Sequence, residues 1–429
     1  MGRRFLAPAQ PITIHLDGSK LIANEGEPLA AALVGAGVDT IARSPKFHRP
    51  RGASCMRGGC DGCVVRVDGV PNVIGCLEPC REGMVVETQN RMGPREFDLL
   101  RANDWFFPSG MNHHEVFIGL PGAEPFLRVF ARRISGLGHL PDDPAPIVTG
   151  ARRGVEVLVV GGGSAGLAAT AAFAAVGARV ELVDEQPALD SVRARHAGEE
   201  LARVEELLAR VATLAEAGRV VARPRTRVVG IFSGLVLVES LTGCEVLDPA
   251  LTVIATGAHD GPAIFEGNDL PGVYSLRAAR RLVAAGVAPG TRVVVVRAPG
   301  LAATVEGLVD ALSADLEAAR VPCVAFVGRV TKAHGSSHVS KVSLVDADGA
   351  EHSVKADALI VEGLRSPSFE LAHQAGARVV RTASGFAAST DALSDRYAVL
   401  GEVTGAAPSV ATFDRHAQEL ASAWSARVR

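Results

Sequence analysis

Residues 155–185 read VEVLVVGGGSAGLAATAAFAAVGARVELVDE. An apolar run, a glycine cluster, an Ala-rich segment and a second apolar run spell strand, turn, helix and strand, the opening of a parallel dinucleotide fold. Gly161, Gly163 and Gly166 form G-x-G-x-x-G at the strand-to-helix turn. Such glycines permit a tight turn and close backbone approach to a pyrophosphate, which then faces a helix N-terminus. Ser164 and Ala165 complete the loop and are assigned to the same cofactor site. Asp184 closes the second strand 18 residues after Gly166, where an acid reaches the adenosine ribose hydroxyls, and Glu185 is the neighbouring alternative. A glycine turn used only for packing is the competing interpretation.

Downstream, VVGIF, LVLVES and LTVIATG read as strands, followed by a helix over 276–287 and the strand TRVVVV. A helix over about 301–320, the strand CVAFVG, a hairpin at Asp348-Gly349, the strand ADALIVEG and a helix near 368–376 come next. YAVLGEVTG then leads into a terminal helix. The pattern predicts two α/β units, the second inserted in the first: 154–260 with 365–429, and 261–364.

Upstream, ITIHLDGSKLI predicts a hairpin around Asp17-Gly18, and Glu25 to Gly37 predicts a helix with a glycine stop. A second hairpin is expected at Asp68-Gly69, and MVVETQ closes a module of about 90 residues. Cys55, Cys60 and Cys63 precede the second hairpin and Cys76 follows it, spaced C-x4-C-x2-C-x12-C. Four thiolates at this spacing are what a plant-type [2Fe–2S] loop requires, and Gly58, Gly59 and Gly62 let the backbone wrap close to the metals. Zinc is the alternative, although only Cys60 and Cys63 form the short C-x2-C hook typical of zinc sites. Cys80 lies beyond the fourth ligand and is expected to be a packed thiol. Residues 91–153 form a connector rich in aromatic residues, among them Trp105, Phe106, Phe107, Phe117, Phe126 and Phe130.

Composition limits the function classes. The chain has 429 residues, is 48% hydrophobic and 21% charged, and can bury large cores. A formal net charge of −3 argues against a nucleic-acid partner. Neither a membrane span nor an apolar secretory leader is apparent, and five cysteines within residues 55–80 suit a reducing compartment. A cytoplasmic location is therefore expected.

Residues 43–87, with RSPKFHRPRG, CMRGGCDGCVVRVDG and GCLEPCREGMVVET, resemble the ferredoxin-like module of bacterial amine-oxidising complexes. That family includes the α subunit of heterotetrameric sarcosine oxidase and relatives in hydrogen cyanide synthase and opine dehydrogenases. The resemblance extends through NDWFFPSG, NDLPGVYSLRAARRLV and EGLRSPSFELAHQAGA. LTVIATGA at 251–258 resembles the turn that returns near the cofactor, which implies roles for Thr256 and Gly257. YAVLGEVTG at 397–405 resembles the late flavoprotein strand and implies roles for Gly401 and Glu402.

The resemblance implies an α/β chain with an α+β N-terminal module: a β-grasp, ferredoxin-like [2Fe–2S] domain over 1–90, the connector, and a Rossmann-like flavoprotein body with two dinucleotide-binding domains. Its implied cofactors are the [2Fe–2S] cluster and FAD, with NAD as the alternative. Three departures stand out: Glu402 replaces the usual Asp, EQPALDSVR lacks the usual Gly-Gly, and RAPGLAAT is a degenerate second nucleotide turn. The implied function is electron transfer by an α-type subunit, paired with a flavin-dependent β-type subunit that oxidises a small amine or imino acid. A self-contained NAD(P)H-dependent ferredoxin reductase and a scaffold with structural nucleotide are the alternatives. No catalytic base is identified; His113-His114-Glu115 reads as a surface or interface element, and His48 as a residue that orders the cluster loop.

Overall fold

The computed structural model describes the chain apart from residues 1–2, 46, 92, 94, 96–97, 103, 105–149, 262, 299–302, 364, 383–384, 392 and 429. Trp105, the connector phenylalanines, the His113-His114-Glu115 run and residues 299–302 of the degenerate turn lie outside the described residues. The chain divides into two compact units: 1–144 with 264–299 and 313–361, and 145–263 with 300–312 and 362–429.

In the first unit, β1 (Pro11–Leu16) and β2 (Ser19–Asn24) pair antiparallel through the Asp17-Gly18 turn, where both residues have positive φ. Helix α1 spans Leu29–Gly35. It is shorter than the predicted 25–37 because Pro28 holds the entry and disfavours a helical Glu27. The Glu27 carboxylate instead accepts from the Asn24 N–H at 2.7 Å and from Arg4 at 2.6 Å. Strands β3 (Val64–Val67) and β4 (Val70–Ile74) form the second predicted hairpin, and β5 (Val85–Glu87) completes a mixed sheet of order β2-β1-β5-β3-β4.

The second unit is built on β6 (Ala151–Val160), followed by α2 (Ser164–Ala175), β7 (Val180–Val183), α3 (Gly198–Glu216) and β8 (Val220–Arg223). Strands β9 (Arg227–Phe232), β10 (Leu235–Ser240) and β11 (Gly243–Ile254) form an antiparallel meander that returns β11 parallel to β6. Across the sheet the order is β8-β7-β6-β11-β10-β9, with Tyr397–Val399 parallel to β11 on the other side of its C-terminal half. Parallel strands need both faces covered. One face carries Leu167, Phe173, Val204 and Leu207 of the helices together with Phe413 of the terminal helix Val410–Val428. The other carries Leu158, Ile231, Val236, Leu247 and Val399.

Glu181 of β7 joins three adjacent strands, accepting from Arg153 and Arg223 at 2.7 and 2.8 Å. Burial pushes its carboxyl up, but the two guanidinium partners outweigh this and hold it below the usual range.

The first unit also contains a parallel sheet of β12 (Val273–Ser275), β13 (Val293–Arg297), β14 (Cys323–Val327) and β15 (Ala358–Val361), in the order β12-β15-β13-β14. Helix α4 (Leu276–Ala284) follows β12 and is capped by the Ser275 hydroxyl, which accepts from Ala278 N–H at 3.1 Å. It ends before the predicted 287 because Gly286 takes φ 72°.

Candidate iron–sulfur and dinucleotide sites

The cysteine loop runs between the strand pair Ala42–Arg43/Pro50–Arg51 and β3. Cys55, Cys63 and Cys76 are buried and Cys60 is partly exposed. Cys60 and Cys76 thiols donate to Cys55, and Cys76 also bonds Cys63, so the recorded contacts link all four sulfurs. The thiol donors are the largest influence holding Cys55 far below the ordinary thiol range, whereas bonding to Cys55 and burial drive Cys60 and Cys76 upward. Such a set retains thiolate character in one member, and a cation at its centre would draw it from the rest. Among the described residues no group of three or more His, Cys, Asp or Glu is arranged to hold a single metal ion.

Backbone amides face the sulfurs. Gly58 N–H donates to Cys76 Sγ at 3.1 Å and Arg57 N–H to Cys55 Sγ at 3.4 Å. The amides of Gly59 and Gly62 reach Cys55 and Cys60. The wrap is steric as well as polar: a Cβ on Gly62 would lie 1.9 Å from the Gly52 carbonyl oxygen. Sequence reasoning missed the loop's anchor on α4, where Arg281 donates to the Met56 carbonyl at 2.5 Å and Ser275 N–H donates to the Ser54 carbonyl at 2.9 Å. The signal for it in the sequence is the family-like run NDLPGVYSLRAARRLV, which contains both residues.

His48 is 1% exposed, with Nδ1 2.9 Å from Asp98, which also lies 3.6 Å from Arg43. Cys80 is buried beside Glu27 rather than joined to the four thiols, and burial pushes its thiol up to about 12. It is a packed thiol, as expected.

The glycine loop joins β6 to α2. Gly161 has φ 104°, and a Cβ there would lie 2.4 Å from the Ala255 carbonyl oxygen, just before Thr256. A Cβ on Gly166 would lie 1.7 Å from the Gly161 oxygen. Gly401 also has positive φ and sits against Ala165. Gly161, Ala165, Gly166, Thr256 and Gly401 therefore converge at the α2 N-terminus, although Gly161 and Gly401 are 240 positions apart. Gly163 differs: its nearest neighbour is Arg195 Nη1 at 3.6 Å, which leaves an open place on the loop. That opening, at a helix start bearing no side-chain cap, fits a pyrophosphate.

Asp184 lies beside the loop. One of its carboxylate oxygens accepts from Gly162 N–H and the other from Gln186 N–H at 2.7 Å. Each oxygen retains acceptor capacity for ribose hydroxyls. Thr256 Oγ1 donates to the Ser368 carbonyl at 2.7 Å, and the Gly257 carbonyl accepts from Ser368 N–H at 2.9 Å. Glu402 is not isolated: Arg365 donates to it at 2.7 Å and also to Glu362 at 3.2 Å. Sequence reading missed Arg365, whose neighbours are not apparent from the EGLRSPSF run.

A cluster-binding thiol loop and a Gly-rich dinucleotide turn thus define an iron–sulfur protein of Rossmann-like fold. Residues 9–91 match a family described as a 2Fe-2S iron-sulfur cluster binding domain. The chain is 28% identical over 428 residues to the sarcosine oxidase subunit alpha of Rhizobium meliloti (strain 1021), covering 87% of this chain and 42% of that protein. It is 35% identical over 85 residues to the hydrogen cyanide synthase subunit HcnA of Pseudomonas aeruginosa, covering 20% of this chain and 81% of that protein. Among solved structures, L-proline dehydrogenase from P. horikoshii matches with TM-score 0.72 and 21% identity over 99% of this chain and 75% of that one. The chain belongs to the family of sarcosine oxidase α subunits and hydrogen cyanide synthase subunits that carry this N-terminal [2Fe–2S] domain. It spans less than half the length of the sarcosine oxidase relatives, 42% of the Rhizobium protein. Among the described residues no helix is long and apolar enough to cross a membrane.

Proposed function

We propose that this chain is the α-type, electron-transfer subunit of a flavin-dependent oxidoreductase acting on CH–NH groups of small amines or imino acids. Substrate oxidation takes place in a β-type flavoprotein partner within a cytoplasmic hetero-oligomer. The observation that carries this reading is one chain holding both a four-thiol loop and an intact first glycine turn.

Cys55, Cys60, Cys63 and Cys76 hold the [2Fe–2S] cluster. Gly161, Gly163, Ser164, Ala165 and Gly166 hold the pyrophosphate of FAD, Asp184 and Glu185 the adenosine ribose side, and Thr256, Gly257, Gly401 and Glu402 the far side. When bound, the cluster and the dinucleotide supply one-electron and two-electron redox chemistry respectively. The chain's own contribution is to bury the sulfurs, aim amides at them and fix the dinucleotide against α2. The functional domains of this reading are 1–90, 91–153, 154–260 with 365–429, and 261–364.

The test is purification of the chain alone and with a co-encoded flavoprotein, followed by identification of released nucleotide and by dye-reduction assays on N-alkyl amino acids and proline. Turnover is expected only in the assembly. Robust turnover by the isolated chain overturns the subunit assignment.

A further inference from the structure

On either side of Cys55 a backbone carbonyl is held from the corner between β12 and α4. The Ser54 carbonyl accepts from Ser275 N–H at 2.9 Å, and the Met56 carbonyl accepts from Arg281, in the last turn of α4, at 2.5 Å. Just upstream, Arg51 donates to the Asp269 carboxylate at 2.6 Å, and a Cβ on Gly52 would lie 3.1 Å from Pro271. The Met56–Arg57 peptide faces two ways. Its carbonyl takes the Arg281 guanidinium, while its N–H, that of Arg57, donates to Cys55 Sγ at 3.4 Å. A peptide group is planar, so a donor that fixes the carbonyl also fixes where the N–H points. A guanidinium makes the carbonyl bond charge-assisted, and polarisation through the amide strengthens the donor at its other end. Met56 has need of the support: it is 2% exposed and takes φ 52°, a left-handed conformation that bulky residues rarely adopt.

Hydrogen bonds to sulfur are one lever on an iron–sulfur potential, because they stabilise the negative charge added on reduction. We infer that Arg281 is a positioning residue that raises the reduction potential of the cluster, acting through the Met56–Arg57 peptide on the Cys55 sulfur. The inference rests on the proposed [2Fe–2S] site and adds to it a residue from outside the thiol loop. The step concerned is entry of one electron into the cluster, with no covalent bond made or broken. The electron comes from the flavin of the proposed function and, in the test, from dithionite through mediator dyes.

The experiment is a redox titration of the full chain with its cluster loaded, followed by visible absorption and EPR, beside iron analysis of each variant. Arg281→Met should shift the reduction equilibrium at least threefold toward the oxidised cluster, which at 59 mV per tenfold for one electron is about 28 mV. Arg281→Lys, which keeps the charge but not the planar fork, should shift it the same way by less. Arg280→Met is the control: Arg280 neighbours Arg281 on α4 but pairs with Asp315, and its loss should leave the potential where it is. Circular dichroism and thermal melting confirm that the variants fold. If Arg281→Met loses its iron, Arg281→Lys decides by itself. An unshifted potential in the iron-bearing Arg281 variants, an equal shift in Arg280→Met, or loss of iron from both Arg281 variants overturns the inference and leaves the cluster reading standing. A wild-type chain that holds no iron overturns both.

Discussion

In the cluster loop, Gly62 lies where a Cβ would meet the Gly52 carbonyl oxygen at 1.9 Å; in the nucleotide loop, Gly166 lies where one would meet the Gly161 oxygen at 1.7 Å. Both loops exclude a side chain at one position so that backbone can cross backbone. They differ in where their remaining parts come from. All four thiols, and the amides that face them, fall within residues 55–76. The nucleotide loop instead draws on β6, on the end of β11, on the segment after β7 and on Gly401. A site that is local in sequence depends mainly on a short stretch of chain, here one loop and the hairpin that returns Cys76 to it. A dispersed site depends on the register of a whole sheet, and damage to that sheet reaches it.

This contrast is sharpest in paired substitutions. Gly62→Val should abolish iron binding and Gly166→Val nucleotide binding, because the overlap is with backbone that cannot turn aside; each costs more than about 3 kcal/mol. Iron and nucleotide analysis of each purified variant should show one cofactor lost per substitution. Loss of both from either change would break the comparison.

A smaller effect, confined to one site, is expected from the thiols. Cys60→Ser should remove or strongly alter the visible absorption band and the EPR signal of the reduced cluster. Cys80→Ser should leave both nearly unchanged, since Cys80 packs beside Glu27. Zinc with no iron in the wild-type chain would defeat the electron-transfer reading.

Next in size is Asp184→Ala, which leaves the Gly162 and Gln186 amides without their carboxylate acceptor. The cost is about 1.5–3 kcal/mol, read as weaker nucleotide binding by calorimetry and a lower thermal midpoint. Wild-type behaviour would mean that water replaces the carboxylate without penalty.

The smallest effect tests the sheet that holds the dispersed site. Glu181 is held below the ordinary carboxylate range in the folded chain. Its contribution is therefore complete above the unfolded value of about 4.3 and is lost as pH falls through the lower folded value. Arg153 is 41% exposed and solvent screens its share, so the change is modest. Melting midpoints measured from neutral to acidic pH should fall less steeply in Glu181→Gln than in wild type. Parallel curves would remove Glu181 from the account.

The cysteine spacing, the two Asp-Gly hairpins and the G-x-G-x-x-G turn were legible because each is a short-range steric or ligand requirement carried by adjacent residues. The helix over Glu25 to Gly37 was read too long because the periodicity of EGEPLAAALVGAG says nothing of the Glu27 contacts with Asn24 and Arg4. Arg281 could be placed near the cluster loop only by its position in a family-like segment, since its bond to Met56 links residues 225 positions apart. Arg365 beside Glu402 is similar: the acid was legible, its partner was not.

By itself, the sequence determined that four thiols fall within residues 55–76 at a ligand spacing and that one strand-to-helix turn is rich in glycine, because thiolate ligation and the absence of a Cβ are properties of residues and spacing. Only the tertiary structure decided that Gly401 meets Ala165, that Asp184 is tied to the Gly162 amide and that Arg195 lies over Gly163. The physical reason is that these relations depend on strand register and on the direction the chain takes after β7. Both are set by burial of the sheet's two faces rather than by neighbours along the chain.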